Sequence, residues 1–144
     1  MIRGACLCGG VRYEARGVAF MSICHCSMCR KSTGASFSVF ANVKPENFEY
    51  VAGRSLVERY ESSPGNFRGF CRECGSSVPV VVEGRPGVMI PAGTIEGDPR
   101  VRPAFHIMVG SKASWVEIGD ALPQFDAFVP GFETAHLDGQ GDAD

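Results

Sequence analysis

Seven cysteines fall into three tight clusters along a chain of 144 residues. They are Cys6-Leu7-Cys8-Gly9-Gly10, Cys24-His25-Cys26-Ser27-Met28-Cys29 and Cys71-Arg72-Glu73-Cys74-Gly75. Thiols spaced in this way suit a soft metal ion. In the third cluster a C-x-x-C turn aims both sulfurs at one point, and the glycine after it permits the positive φ such a turn needs. Backbone N–H groups in the turn can hydrogen-bond the sulfurs and spread their charge. One turn provides half of a tetrahedral zinc site. The Cys6/Cys8 turn, also followed by glycines, is the natural other half. Zinc held by Cys6, Cys8, Cys71 and Cys74 would tie the N-terminal segment to the middle of the chain and contribute to folding.

Cys24, Cys26 and Cys29 form the remaining group. Cys24 and Cys26 fit one side of a strand end, and Cys29 swings back to them if a helical turn starts there. Three thiolates leave one tetrahedral position open, which is the mark of catalytic rather than structural zinc. Spacing alone also permits other arrangements: His25 or His106 closing this second site, Cys6 and Cys8 joining the middle cluster, or free thiols and a redox pair in place of metal.

A dication with three thiolates is net negative, so it is a weaker Lewis acid than a three-histidine site and less suited to making hydroxide. It is well suited to taking a fourth thiol, which zinc deprotonates near neutral pH. The expected chemistry is sulfur attacking a small electrophile, or the reverse elimination. Arg30 and Lys31, directly after Cys29, are candidates to offset the negative charge, or else a solvated basic pair. Ser27 and Ser32 are placed to donate to the thiolates, although caps and turns are their commoner duties.

The elements that must position these residues read as short strands. Val11 to Ala15 alternates, and Phe37 to Val43, Phe48 to Val51, Leu56 to Tyr60, Phe67 to Cys71, Val78 to Glu83 and Val88 to Pro91 are apolar and β-favouring. Turn signals separate them at Ala52-Gly53-Arg54, Ser63-Pro64-Gly65-Asn66, Gly84-Arg85-Pro86-Gly87 and Gly97-Asp98-Pro99. Helical signals are few: Ser27 to Ser32 stopping near Gly34, Pro45 to Phe48, and Leu122 to Phe125. The 18 glycines and nine prolines agree with a turn-rich, all-β chain. The expected fold is mainly β, a sandwich or tent of short antiparallel sheets with few short helices. It reads as one domain over residues 1–132, with a polar tail over 133–144 that has little to bury.

Composition is that of a soluble globular protein, 44% hydrophobic and 21% charged. The net charge of −2 gives no reason to expect nucleic acid or membrane partners. No apolar run approaches the roughly 18 residues of a membrane span, and the first residues lack the apolar core of a secretory signal. A cytoplasmic location is the expectation, where thiols stay reduced and clustered cysteines bind metal rather than pair. An exposed sheet edge would permit a homodimer without requiring one.

Three stretches together resemble one family: Gly4 to Tyr13 (GACLCGGVRY), Cys24 to Lys31 (CHCSMCRK) and Phe70 to Gly75 (FCRECG), with Phe105 to Trp115 (FHIMVGSKASW) as a further match. The chain is similar, from residue 4 to about 130, to the glutathione-dependent formaldehyde-activating enzymes, also called the centromere protein V family. The resemblance implies a zinc-stapled β-tent with two zinc ions: a structural one on Cys6, Cys8, Cys71 and Cys74, and a catalytic one on Cys24, Cys26 and Cys29, whose open site would let it be the more labile. It implies a carbon–sulfur lyase activity, the joining of glutathione and formaldehyde into S-hydroxymethylglutathione. Arg68, Arg72 and Arg85 are candidates for a substrate carboxylate. Trp115 and Phe37 are candidate pocket walls, with core packing the plainer expectation for each. His106 reads as a satisfied structural histidine that could shuttle a proton if zinc lies near. The rival reading is a non-catalytic zinc module that binds glutathione, a metabolite or a protein partner.

Overall fold

The computed structural model describes residues 1–130. The expected tail from residue 133 lies outside the described residues. The strands are β1 (Ile2–Ala5), β2 (Arg12–Ala15), β3 (Phe20–Cys24), β4 (Ser38–Val43), β5 (Phe48–Ala52), β6 (Val57–Ser63), β7 (Asn66–Cys71), β8 (Val88–Pro91), β9 (Ile95–Glu96) and β10 (Pro103–Ile107). Among the described residues a single α-helix, α1 (Ser27–Thr33), follows β3. Short 3₁₀ turns occupy Pro45–Asn47, Arg54–Leu56, Ala92–Thr94 and Val109–Ser111. The strands build two four-stranded sheets, ordered β5-β2-β1-β9 and β10-β3-β4-β8, and a separate β6-β7 hairpin.

Alternation explains the first sheet. On β2, Tyr13 and Ala15 point inward while Arg12 and Glu14 face out. The inward residues meet Ile2, Phe48, Met21, Val43, Val88 and Ile90 in the main core between the two larger sheets. Val88 is 1% exposed and Val43 and Ile90 are 0% exposed. Burying each such side chain contributes roughly 1.5–3 kcal/mol. A second core holds Cys24, Cys26, Cys29, Phe40, Ile107 and Met108. A third holds Cys6, Val11, Cys71 and Val78 and joins the hairpin to the first sheet.

Four strands escaped the sequence reading. β3 is buried along nearly its whole length, so it shows no period of two. β10 runs parallel to β3, with a register shift between Pro103 and Phe105, so one pair departs from the antiparallel expectation. Gly4 interrupts the apolar signal of β1, and β9 has only two residues. Two expected elements are absent. Val78 to Glu83 is extended without being a strand: Val78 donates to the Gly69 carbonyl, but Pro79 has no N–H to continue the ladder, and its carbonyl accepts the Tyr50 hydroxyl at 2.7 Å. Leu122 to Phe125 is not a helical turn. It lies along β10, where the His106 N–H donates to the Pro123 carbonyl and the Phe125 N–H to the His106 carbonyl.

Gly53 braces the first cysteine turn. Its φ is +70°, and a Cβ there would lie 2.0 Å from the Gly10 carbonyl oxygen. Gly53→Ala therefore meets both left-handed strain and a backbone clash. Its expected cost is about 2 kcal/mol or more, read as a lower midpoint in chemical denaturation. A midpoint equal to that of the parent chain would show that the turn yields freely.

Candidate metal centres

The first centre is built by two turns. Cys6 closes β1 into a turn in which the Gly9 N–H donates to the Cys6 carbonyl and the Val11 N–H donates to Cys6 Sγ at 3.2 Å. Cys71 ends β7, and the Gly75 N–H returns to its carbonyl at 2.7 Å. Gly9 and Gly75 both have φ of 74°, as the spacing predicted. The Leu7 N–H donates to Ser76 Oγ at 2.9 Å and so locks one turn onto the other. Cys6 Sγ lies 3.5 Å from Cys8 Sγ, and Cys8 Sγ lies 3.9 Å from Cys71 Sγ. All four sulfurs, including Cys74, lie within 4.8 Å of one another. A tetrahedral ion with metal–sulfur bonds near 2.3 Å needs sulfurs about 3.8 Å apart, so the set fits such an ion.

Electrostatics agree with that fit. The Ser76 hydroxyl and then its N–H pull Cys74 down to about 5. The Gly10 N–H lowers Cys8, but the neighbouring Cys6 and Cys74 sulfurs outweigh it and push Cys8 up to about 12. Thiols this close resist ionising together. A cation is what lets all four be thiolates at once.

The second centre needs one strand end and one helix start. Cys24 is the last residue of β3 and Cys26 caps α1, its sulfur accepting the Cys29 N–H at 3.3 Å. The helical turn brings Cys29 back, and Gly34 ends the helix at φ 68°. The three sulfurs lie within 4.8 Å of one another. Their residues are 1%, 0% and 0% exposed. No histidine, carboxylate or further cysteine among the described residues joins them. Thus neither His25 nor His106 closes this set, and Cys6 and Cys8 do not join it. Hydrogen bonds from Cys24 and then Cys29 hold Cys26 down at about 2, with Arg68 adding to the effect. Cys24 is pushed up, first by its bond to Cys26 and then by that to Cys29.

Against this geometry, the family model described as glutathione-dependent formaldehyde-activating enzyme matches residues 1–111. The chain belongs to that family. A Halomonas elongata protein whose name provisionally assigns it glutathione-dependent formaldehyde activation is 30% identical over 128 residues, covering 82% of this chain and 81% of its own. A similarly named Aspergillus flavus protein is 31% identical over 129 residues, covering 86% of this chain. This chain spans 58% of that fungal relative's length. A solved Rhodobacter sphaeroides structure superposes with a TM-score of 0.55 at 27% identity, covering 68% of this chain and 92% of the other.

All seven cysteines lie within the family segment, as does a cation that their spacing did not announce. Arg68 Nη1 on β7 donates to Cys29 Sγ at 3.3 Å. Arg30, expected to offset the thiolates, instead donates to the Ser111 carbonyl at 3.1 Å, and Lys31 is exposed. Ser32 Oγ donates to the Cys29 carbonyl rather than to a sulfur. Arg72 is exposed beside Glu73, and Arg85 holds the Gly65 carbonyl at 2.6 Å. Trp115 is 73% exposed, so it is no core residue. Phe37 packs its ring 5.4 Å from that of His25.

His106 is a satisfied histidine. Its Nε2 faces Asp120 at 3.0 Å, and its Nδ1 lies 2.8 Å from His25 Nε2. A proton on His106 Nε2 bonds the carboxylate and leaves Nδ1 to accept from His25. These hydrogen bonds tie the junction of β3 and α1, which carries Cys24 and Cys26, to a carboxylate beyond the family segment. Asp120 was missed because no motif surrounds it.

Proposed function

We propose that the chain is a zinc-dependent enzyme that joins glutathione to formaldehyde, a carbon–sulfur lyase in the reverse direction. One observation carries the reading: three buried thiols converge with no fourth protein donor among the described residues, in a chain of the formaldehyde-activating family. On this reading Cys6, Cys8, Cys71 and Cys74 hold a structural zinc, and Cys24, Cys26 and Cys29 hold the catalytic one. Zinc bound there supplies a coordination position for a thiol and favours its thiolate.

The reaction balances simply. The substrate sulfur forms a bond to the aldehyde carbon, the carbonyl pair moves to oxygen, and oxygen takes the proton that the thiol gave up. The chain's own contribution is binding. A cleft of about 500 Å³ between α1 and the hairpin is lined by Met28, Lys31, Tyr60, Arg68 and Phe70, among others. It borders the second centre at Met28, which precedes Cys29, and at Arg68, which donates to the Cys29 sulfur. Two of its lining residues are cations and none is a carboxylate, which suits a peptide thiol bearing carboxylates. Reduced thiols at both centres fit the cytoplasm. Among the described residues no helix is long and apolar enough to cross a membrane.

The test is the exchange rate between free and thiol-bound ¹³C-formaldehyde in the presence of glutathione, followed by NMR. The zinc-loaded protein should accelerate exchange well above the spontaneous rate. A rate indistinguishable from buffer, with both centres loaded, would remove the enzyme reading and leave a thiol-binding module.

A further inference from the structure

We propose that Arg68 sets the charge of the three-thiolate centre and so selects an anionic fourth partner, a thiolate, over a neutral one. The inference rests on reading that centre as an open zinc site.

The placement of the guanidinium argues for this role. Arg68 pairs with Tyr60 across the hairpin. Its Nε donates to Ser62 Oγ at 3.0 Å and its Nη1 to Cys29 Sγ at 3.3 Å. Those two bonds fix the plane of the group. The remaining nitrogen, Nη2, is buried without a hydrogen-bond partner among the described residues. A buried donor left unmade is costly, and such a group calls for an explanation in a ligand or in its neighbours. Arg68 also lines the clefts on both of its sides. One has Lys31 and the other Arg85 as its second cation, and no carboxylate lines either. The charged side chains that line both clefts are therefore all cations, although the chain as a whole is net negative.

Charge bookkeeping then assigns the role. Three thiolates around a dication leave one excess negative charge, and an entering thiolate adds a second. Holding two excess negative charges in a buried site is unfavourable without a fixed counter-charge. A guanidinium already bonded to Cys29 supplies it and draws electron density from that sulfur. A neutral fourth partner adds no charge and gains little from Arg68. Arginine suits this better than lysine, because its rigid fork can bond Ser62, Cys29 and a further acceptor from separate nitrogens.

Cobalt(II)-substituted protein separates the outcomes, since its visible bands report the fourth ligand without turnover. The two probes are 2-mercaptoethanol, which binds as a thiolate, and imidazole, which binds neutral. The parent protein should bind both. Arg68→Met should weaken the thiolate about tenfold, the scale of one lost charge-assisted hydrogen bond, and change imidazole affinity less than about twofold. Arg68→Lys should fall between. Ser62→Ala keeps the charge but frees the guanidinium, so a smaller loss confined to the thiolate is expected, and this variant serves if Arg68→Met folds poorly. Unchanged thiolate affinity in Arg68→Met, or equal losses for both probes, overturns the role of Arg68 while leaving the open site standing. A parent protein that binds neither probe overturns the open-site reading itself, and the selection with it.

Discussion

If each of the two cysteine groups holds one zinc, as proposed, Cys71→Ser is expected to lower zinc from two ions per chain to one at most, and to abolish cooperative folding. Cys71 is 0% exposed and sits in the small core shared by Cys6, Val11 and Val78. That core and the four sulfurs join the β6-β7 hairpin to the first sheet. A two-stranded hairpin is marginal by itself, so it depends on this junction. A structural zinc contributes about 10 kcal/mol or more in small zinc domains, while a whole domain is stable by about 5–15 kcal/mol. Losing one ligand, and leaving three crowded thiols behind, is therefore enough to unfold the hairpin half. The loss should also reach the second centre, because β7 carries Arg68 to the Cys29 sulfur. Metal analysis with thermal unfolding followed by circular dichroism is the check. A cooperative transition within a few degrees of the parent would mean that the four-thiolate set is not what holds the fold.

The cysteine clusters were legible because their information is local. A C-x-x-C-G turn dictates its own geometry, and the glycines at 9 and 75 took the positive φ that the turns require. The grouping of Cys6 and Cys8 with Cys71 and Cys74 followed from needing two half-sites, and the structure brings those four together rather than any rival set. What the sequence left dark was non-local. Arg68 meets Cys29 from 39 residues away, whereas Arg30, a candidate by adjacency alone, donates to the Ser111 carbonyl. Asp120 reaches His106 from a loop with no motif around it. The inner strand β3 was hidden for a related reason. A strand buried on both faces loses the alternation that marks a strand, so the sheet that carries Cys24 was harder to read than the thiols at its end. Trp115 shows the opposite error, a large aromatic assigned by type to a core that its surroundings do not provide.

Cys26→Ser should do the reverse of Cys71→Ser: spare the fold and remove the chemistry. Cys26 caps α1, with its sulfur taking the Cys29 N–H. Serine is among the preferred residues for that position, so its hydroxyl can accept the same N–H and the helix start survives. The thermal midpoint should stay within a few degrees of the parent. Cys26→Ala, which loses the cap as well, should cost about 1 kcal/mol more, and the difference between the two isolates capping from metal binding. The zinc proposed for the three-thiolate centre has no such substitute. The Cys26 thiol is held down by Cys24, then by Cys29, with Arg68 adding to it, and a serine hydroxyl stays neutral there. Losing a mere outer-shell partner of a metal typically costs 10- to 100-fold, so losing a direct thiolate should reduce formaldehyde–glutathione exchange by more than about a hundredfold, to the spontaneous rate. Metal content should fall to the one structural zinc. If Cys26→Ser kept the parent's rate while holding that single ion, the three-thiolate centre would not be where carbon meets sulfur. A variant that lost both its fold and its activity would be told apart by the Cys26→Ala comparison, because a capping defect grades with the cap whereas a missing ligand does not.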